Sequence, residues 1–186
     1  MTTTREKVAA LMPLVERMNR SHCWLKTPDG PRRLNEKFTE FMLAEHCAGR
    51  KAYGLCPIKP GESVTRVALL DFDSHGGETP WEEMLRVVRE VRDTARLFGL
   101  EGVAFRSSGG RGVHLVFMWQ EEQDARSVRE LLRQLLAACG LKPGTAGVAA
   151  GEVEAYPKQN SVELGSYGSM FVLPLAGEST LLGEEE

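Results

Sequence analysis

Two aspartates, Asp71 and Asp73, follow a run of apolar residues and are separated by a single phenylalanine. Alternate residues of a β-strand project from the same face, so we expect both carboxylates on one side of the strand and Phe72 on the other. Neighbouring carboxylates raise each other's pKa unless a cation lies between them, and Mg²⁺ prefers such oxygen ligands. The pair predicts a divalent metal site; the alternative is two solvated aspartates at a strand end.

A second group of reactive residues lies between two predicted strands, in Ser107-Ser-Gly-Gly-Arg-Gly-Val-His114. Glycines allow backbone N–H groups to approach an anion closely, and Arg111 is suited to pairing with a phosphate. His114 lies on the next predicted strand, where it can donate to a triphosphate oxygen. The alternative is a hairpin tip whose glycines serve only positive φ and whose histidine faces the core.

A third group is Glu152-Val-Glu-Ala-Tyr-Pro-Lys-Gln159. Glu152 and Glu154 share one face of a predicted strand, so either could complete a site of three carboxylates. Lys158 and Gln159, just after the proline, could hold phosphate or an incoming nucleotide. The alternative is a polar edge strand followed by a loop.

The elements that must position these groups follow from hydrophobic periodicity. From residue 64 the pattern predicts strand, helix, strand, strand, helix and strand, over 64–73, 80–98, 103–106, 113–119, 124–139 and 152–156. Thr79-Pro-Trp-Glu82 resembles a capping box for the first of these helices. The βαββαβ order predicts an α+β fold of the ferredoxin-like or RNA-recognition (RRM-like) type.

The segment before residue 64 predicts additional α/β structure. A helix is expected over 4–19, a strand over 22–26, a helix capped by Asn35 and ending near Cys47, and an extended segment over 53–58. A last strand is expected over 170–175. We therefore expect an N-terminal segment, 1–50, packed on a core, 51–177, and followed by an acidic tail, 178–186.

Charge and composition limit the possible partners. The net charge of −3 provides no global basic field for nucleic acid, so any such binding must use local charge. A basic cluster upstream of the motifs could line a template groove or could simply be solvated: Arg32, Arg33, Lys37, Arg50, Lys51 and Lys59. No apolar stretch reaches the roughly 20 residues that span a bilayer, and no secretion signal is present, so a cytoplasmic location is expected.

Zinc is a weaker hypothesis. Cys23, Cys47 and Cys56 lie near His22 and His46 in the sequence, and all five are possible zinc ligands. None of the cysteines forms a Cys-x-x-Cys pair, so buried free thiols are the expected alternative.

The motifs together resemble the archaeo-eukaryotic primase superfamily, most closely the primase-polymerases of phages, plasmids and mobile elements. The matching segments are Leu69-Leu-Asp-Phe-Asp-Ser-His75, Arg106-Ser-Ser-Gly-Gly-Arg-Gly-Val-His-Leu-Val116, Val153-Glu-Ala-Tyr-Pro-Lys-Gln159 and Met170-Phe-Val-Leu-Pro-Leu175. The resemblance covers roughly residues 50–176, and the order of several motifs makes it specific.

The resemblance implies a catalytic core that uses two Mg²⁺ or Mn²⁺ ions. Its metal ligands would be Asp71, Asp73 and Glu154, with Glu152 as the alternative third ligand because the family commonly has aspartate there. His114 would be catalytic and would also contact the nucleoside triphosphate. The implied nucleotide contacts are Ser108, Gly110, Arg111, His114, Lys158 and Gln159.

The implied activity is template-directed nucleotidyl transfer, as in a DNA primase or DNA polymerase. Its partners would be a single-stranded DNA template, a primer and nucleoside triphosphates, with a helicase domain or partner as a further expectation. One alternative is a non-catalytic RRM-like module, but such modules display aromatic side chains on the central strands, and carboxylates there would repel phosphate. The other is a metal-dependent nuclease that uses the same carboxylates.

Overall fold

The computed structural model describes residues 3–177 and 179–183, so residues 178 and 184–186 of the predicted acidic tail lie outside the described residues. The helices in the described residues are α1 (Thr4–Glu16), α2 (Glu40–Cys47), α3 (Trp81–Leu97) and α4 (Ala125–Ala138). The strands are β1 (Cys23–Thr27), β2 (Gly30–Leu34), β3 (Tyr53–Leu55), β4 (Val64–Phe72), β5 (Gly102–Arg106), β6 (Val113–Asp124), β7 (Lys142–Pro143), β8 (Glu152–Tyr156) and β9 (Phe171–Val172).

The main sheet confirms the predicted βαββαβ unit. Its strand order is β5-β6-β4-β8-β7, and β4 pairs antiparallel with both β6 and β8. The first strand of the unit therefore lies at the centre, between the third and the last strands, as in ferredoxin-like folds. This pairing sets Asp71 opposite His114 on one side and opposite Glu154 on the other.

The continuous apolar sequence of β4 is explained by burial on both faces of the sheet. Ala68, Leu70 and Phe72 pack into a core with α3 and α4. Val67 and Leu69 point the other way, into a core shared with α1, α2 and the second sheet. Asp71 follows Val67 and Leu69 in the alternation, so it lies on the face that the second sheet covers.

The second sheet has the order β2-β1-β3-β9, with antiparallel pairing throughout. It combines strands from both sides of residue 50, the boundary that we expected between the N-terminal segment and the core. That boundary stays a prediction, but the structure shows that the N-terminal strands share a sheet with β3 and β9 and lie over the main sheet.

Local predictions failed where polar contacts rather than periodicity set the boundaries. The helix expected from Asn35 begins later, because the side chain of Thr39 caps it by accepting from the backbone N–H of Met42 at 3.3 Å. The capping box at Thr79 is also wrong. The backbone N–H of Thr79 donates to Ser74 Oγ instead, and Pro80 is the N-cap of α3 without a side-chain bond.

Candidate active site

The predicted reactive residues line one cavity between the two sheets. The cavity has a volume of about 720 Å³, and its wall on the main sheet includes Asp71, Asp73, His114 and Glu154. The hairpin turn between β5 and β6 forms one end, and β9 with Lys26 and Pro31 forms the opposing wall. Long-range strand pairing thus brings together three motifs that are far apart in the sequence.

Asp71 and His114 form the floor of the cavity. They are cross-strand partners, and His114 Nε2 lies 3.5 Å from Asp71 Oδ1. Burial raises the pKa of Asp71; His114 opposes this shift, and the negative charges of Asp73 and Glu154 add to it. The other ring nitrogen of His114, Nδ1, is buried and has no hydrogen-bond partner among the described residues. The floor of the cavity therefore holds carboxylates that repel one another, and a histidine ring nitrogen that forms no hydrogen bond with the described residues.

Asp73 lies just past the end of β4 and contacts the following loop. Its Oδ1 accepts from the backbone N–H of Ser74 at 2.7 Å, and its Oδ2 lies 3.4 Å from His75 Nδ1. His75 Nε2 donates to the carbonyl oxygen of Thr145 at 2.6 Å. This hydrogen bond and the negative charge of Asp73 raise the pKa of His75. His75 thus ties the carboxylate strand to the loop before β8.

Of the two glutamates on β8, only Glu154 lines the cavity. Its Oε2 accepts from Tyr156 Oη at 2.9 Å and lies 2.6 Å from Lys158 Nζ. Burial, reinforced by Glu154, raises the pKa of Tyr156, so its hydroxyl stays protonated as a donor. Glu152 is held elsewhere: its carboxylate pairs with Lys142 at 3.0 Å and accepts a backbone N–H bond.

The glycine-rich turn is packed directly against the carboxylate strand. The backbone N–H of Gly112 donates to Ser107 Oγ at 3.1 Å, and a Cβ at Gly112 would lie 2.4 Å from the carbonyl oxygen of Phe72. Only glycine permits this close approach. Gly110 has φ 73°, its N–H donates to Ser107, and its carbonyl oxygen accepts from Arg106 Nε at 2.8 Å.

Four residues of the turn line the cavity: Ser107, Ser108, Gly109 and Arg111. Gly110, which we predicted as a nucleotide contact, does not line it. Sequence reasoning missed Lys26, whose Nζ donates to Ser108 Oγ at 3.2 Å. No motif surrounds Lys26 in the sequence, and only the position of β1 opposite the turn brings it to the site.

Two further predicted nucleotide contacts, Lys158 and Gln159, also lie away from the cavity lining. Gln159 binds Ser169 twice, through Nε2 to Oγ at 2.7 Å and through Oε1 to the backbone N–H at 3.2 Å. This pairing joins the two ends of the loop between β8 and β9. Lys158 borders a neighbouring groove instead, while its ammonium group pairs with Glu154.

The upstream basic cluster does not surround the site. Arg33 stacks on the ring of Tyr167, with its guanidinium carbon 3.6 Å from the ring centre. Arg50 and Lys51 pair with Glu45 at 3.6 and 2.9 Å. None of the six basic residues of that cluster lines the cavity.

The possible zinc ligands are not grouped in space. Across residues 3–177 and 179–183, no group of three or more His, Cys, Asp or Glu side chains is close enough to hold a metal ion. Both nitrogens of His46 bind backbone groups, the carbonyl of Pro174 at 2.8 Å and the N–H of Tyr53 at 3.0 Å. Burial raises the pKa of the free thiols to about 11, at Cys23, Cys47 and Cys56.

Comparison with known families identifies the chain. Residues 5–184 match the family model for the archaeo-eukaryotic primase domain of TOTE conflict systems. The chain belongs to this family. Membership confirms the resemblance inferred from the motifs, and it supports nucleotidyl transfer as the general type of reaction of this primase domain.

Comparison with solved structures supports the same fold. The primase domain is similar to the polymerase domain of Mycobacterium tuberculosis ligase D, solved in complex with DNA, with a TM-score of 0.54 and 16% sequence identity. The match covers 93% of this chain and 76% of that one. A comparison with curated protein sequences gives no match. In the described part of the primase domain, no helix has the length and apolar character needed to cross a membrane.

Proposed function

We propose that the cavity between the sheets is the active site of a template-directed nucleotidyltransferase, a DNA primase or DNA polymerase. The observation that carries this proposal is the convergence of Asp71, Asp73 and Glu154 with the glycine-rich turn on one cavity. Its volume lies within the range of pockets that hold small-molecule ligands. The family membership supports the same general reaction.

The carboxylates fit divalent cations. Asp71 and Asp73 offer oxygen donors, and the raised pKa of Asp71 reflects burial and unneutralised negative charge that a cation would relieve. Among the described residues the carboxylates of Asp71, Asp73 and Glu154 are not yet grouped closely enough to hold an ion. Glu154, the third ligand in this proposal, would therefore have to leave Lys158 and turn towards the two aspartates. Two bound Mg²⁺ or Mn²⁺ ions would supply acidification of the attacking hydroxyl and neutralisation of the pyrophosphate.

The chain's own residues would bind and orient the substrate. Lys26, Ser108 and Arg111 converge from opposite walls at the turn, where cationic and hydroxyl donors suit a triphosphate. His114 projects from the floor beside Asp71 and can donate to a phosphate oxygen. The 3′-hydroxyl oxygen then bonds to the α-phosphorus, the bond to pyrophosphate breaks, and the hydroxyl proton passes to water.

The decisive test is extension of a labelled primer on a template strand with Mn²⁺ or Mg²⁺ and nucleoside triphosphates, beside an unprimed template. Asp71→Ala/Asp73→Ala is expected to lose product by about a thousandfold or more, because metal binding contributes several kcal/mol to such reactions. The matched control is Asp93→Ala/Glu101→Ala, which removes two exposed carboxylates that pair with Arg96 on α3.

Equal product from the wild type and Asp71→Ala/Asp73→Ala would refute the assignment. Metal-dependent shortening of the labelled strand, lost in the same variant, would favour the nuclease alternative instead. Nucleic-acid binding without either product, unchanged in the variant, would favour an RRM-like binding module.

A further inference from the structure

A second groove adjoins the proposed active site on the outer side of the main sheet. It has a volume of about 610 Å³ and lies between α4 and the edge of β8. The edge is open because β7 pairs with only two residues of β8, which leaves the strand uncovered from Glu154 onward. Arg126, Arg129 and Arg133 line the helix side of this groove.

The arginines occupy one exposed stripe of α4. Their spacing of three and four residues places them on the same side of the helix, opposite the buried face of Val128 and Leu132. Arg133 is neutralised by Glu130 at 2.6 Å. Among the described residues, Arg126 and Arg129 form no ion pair, and Arg129 binds only the side-chain oxygen of Asn160.

Arg126 and Arg129 therefore face the groove without a direct ion pair, in a protein with a net charge of −3. The positive charge of Arg126 is near enough to Glu130 to help lower the pKa of that carboxyl. Polar and acidic neighbours complete the lining, including Thr145, Lys158, Asn160, Glu130 and Glu154. Guanidinium groups pair well with phosphate oxygens, and charge of this kind gives sequence-independent binding to a nucleic-acid backbone. Because the net charge of the protein is negative, binding to a nucleic-acid backbone depends on where these arginines lie and not on the total number of basic residues.

The groove meets the active site at the open edge of β8. Glu154 lines both cavities, so a strand in the groove would reach the proposed metal ligands by passing around this edge. The sheet order places β4 between two functional sides: the turn of β5 and β6 on one side, and β8, β7 and the groove on the other. Asp71 and Asp73 on and just beyond β4 thus lie between the triphosphate turn and the arginines.

This arrangement indicates which nucleic-acid strand the groove binds. In nucleotidyl transfer the attacking hydroxyl and the leaving pyrophosphate lie roughly in line on opposite sides of the α-phosphorus. Because the pyrophosphate points to the turn, the 3′-hydroxyl must arrive from the side of β8. We infer that the groove between α4 and β8 binds the phosphate backbone of the primer strand. This inference rests on the proposed function of the neighbouring cavity.

The first test measures binding of a fluorescent primer–template to the full chain by anisotropy, without nucleotides. Arg126→Ala/Arg129→Ala is expected to raise Kd by about tenfold or more at about 50 mM salt. Because two phosphate contacts are lost, the slope of log Kd against log salt concentration should fall by about 1.4 to 1.8. The matched control is Arg86→Ala/Arg89→Ala, with the same spacing and charge change on the exposed face of α3. Circular dichroism checks that each variant is folded.

The same variants separate strand binding from nucleotide binding. Nucleoside triphosphate affinity, measured by calorimetry with Mn²⁺, is expected to stay within about twofold of wild type in Arg126→Ala/Arg129→Ala. An unchanged Kd for primer–template, or an equal loss of affinity in the Arg86→Ala/Arg89→Ala control, would overturn the inference that this groove binds the primer strand. A protein that makes no product but loses binding only in the α4 variant would refute the catalytic proposal and leave the groove intact.

A crosslinking experiment distinguishes the two strands. A photoreactive label on Arg129→Cys, in a Cys139→Ala background that removes the one partly exposed native thiol, is presented with primer and template carrying different dyes. The label is expected to transfer mainly to the primer strand. Predominant transfer to the template would overturn the strand assignment.

Discussion

The space between the two sheets has a closed apolar end and an open acidic end, and both belong to the same face of β4. Val67 and Leu69 are fully buried among side chains of α1, α2 and the second sheet. Two residues further along, Asp71 faces a cavity and carries charge that burial disfavours. The comparison teaches that one strand stabilises the fold over its first part and positions charge at its end.

The closed end can be tested by removing volume from it. Leu69→Ala is expected to lower the free energy of unfolding by about 2–5 kcal/mol, because the side chain is fully buried and its removal leaves a cavity. Urea denaturation measures the change. Leu97→Ala, at a leucine that is 86% exposed on α3, is the matched control and should stay within about 0.5 kcal/mol of wild type. Similar losses at both positions would contradict the comparison.

A second test compares the buried histidines of the two regions. Burial lowers the pKa of His46 to about 4, against its ordinary value of 6.5, so the folded protein favours the neutral ring. The contribution of His46 to stability is therefore complete above pH 6.5 and is lost as the pH falls towards 4. As the pH falls from 7 to 5, we expect His46 to lower the free energy of unfolding by about 2 kcal/mol. Urea denaturation at each pH measures the change.

Substitution identifies His46 as the source. His46→Gln should weaken the pH dependence by about that amount, while costing stability at pH 7 through the loss of a buried hydrogen bond. His114→Gln is the matched control. Its Nδ1 has no partner to lose, so the cost at pH 7 should be smaller. An unchanged pH dependence in His46→Gln would contradict this account.

The smallest expected effect lies at the acidic end. Because the pKa of Asp71 is raised in the folded protein, the folded state takes up a proton more readily than the unfolded chain, and stability falls as the pH rises through that pKa. Asp71→Asn removes this loss of stability, because the amide does not ionise. In a metal-free buffer at pH 7 it should raise the free energy of unfolding by about 0.5–2 kcal/mol while abolishing extension. A destabilised Asn variant would show that the carboxylate supports the fold.

The sequence predicted the main sheet because its elements are long and strongly periodic. The amphipathic stripes of α3 and α4 and the apolar run before Asp71 were sufficient for the βαββαβ order. The strand β2 was missed because Gly30-Pro-Arg-Arg-Leu34 has no apolar alternation. It is an edge strand that exists by pairing with β1, where a proline is tolerated.

The residues at the site fall into two groups: those that a local sequence motif marks, and those that only the three-dimensional fold brings there. Asp71, Asp73 and the turn are local motifs, and the structure places them on one cavity. Lys26 and the arginines of α4 have no motif, since their positions depend on which strands pair and which edge stays open. Conversely, Gln159 carries a motif but binds Ser169. Local patterns thus located the carboxylates and the turn, whereas the surrounding charge required the three-dimensional pairing.

The contact between Gly112 and the carbonyl of Phe72 has a consequence for redesign. Any side chain at Gly112 would push the turn away from β4, so the proposed nucleotide contacts and the proposed metal ligands cannot be repositioned independently through that residue. Gly109, at the tip, has open space around an added Cβ and faces the same cavity. A library that seeks altered choice of sugar or base should therefore vary Gly109 and keep Gly112 fixed.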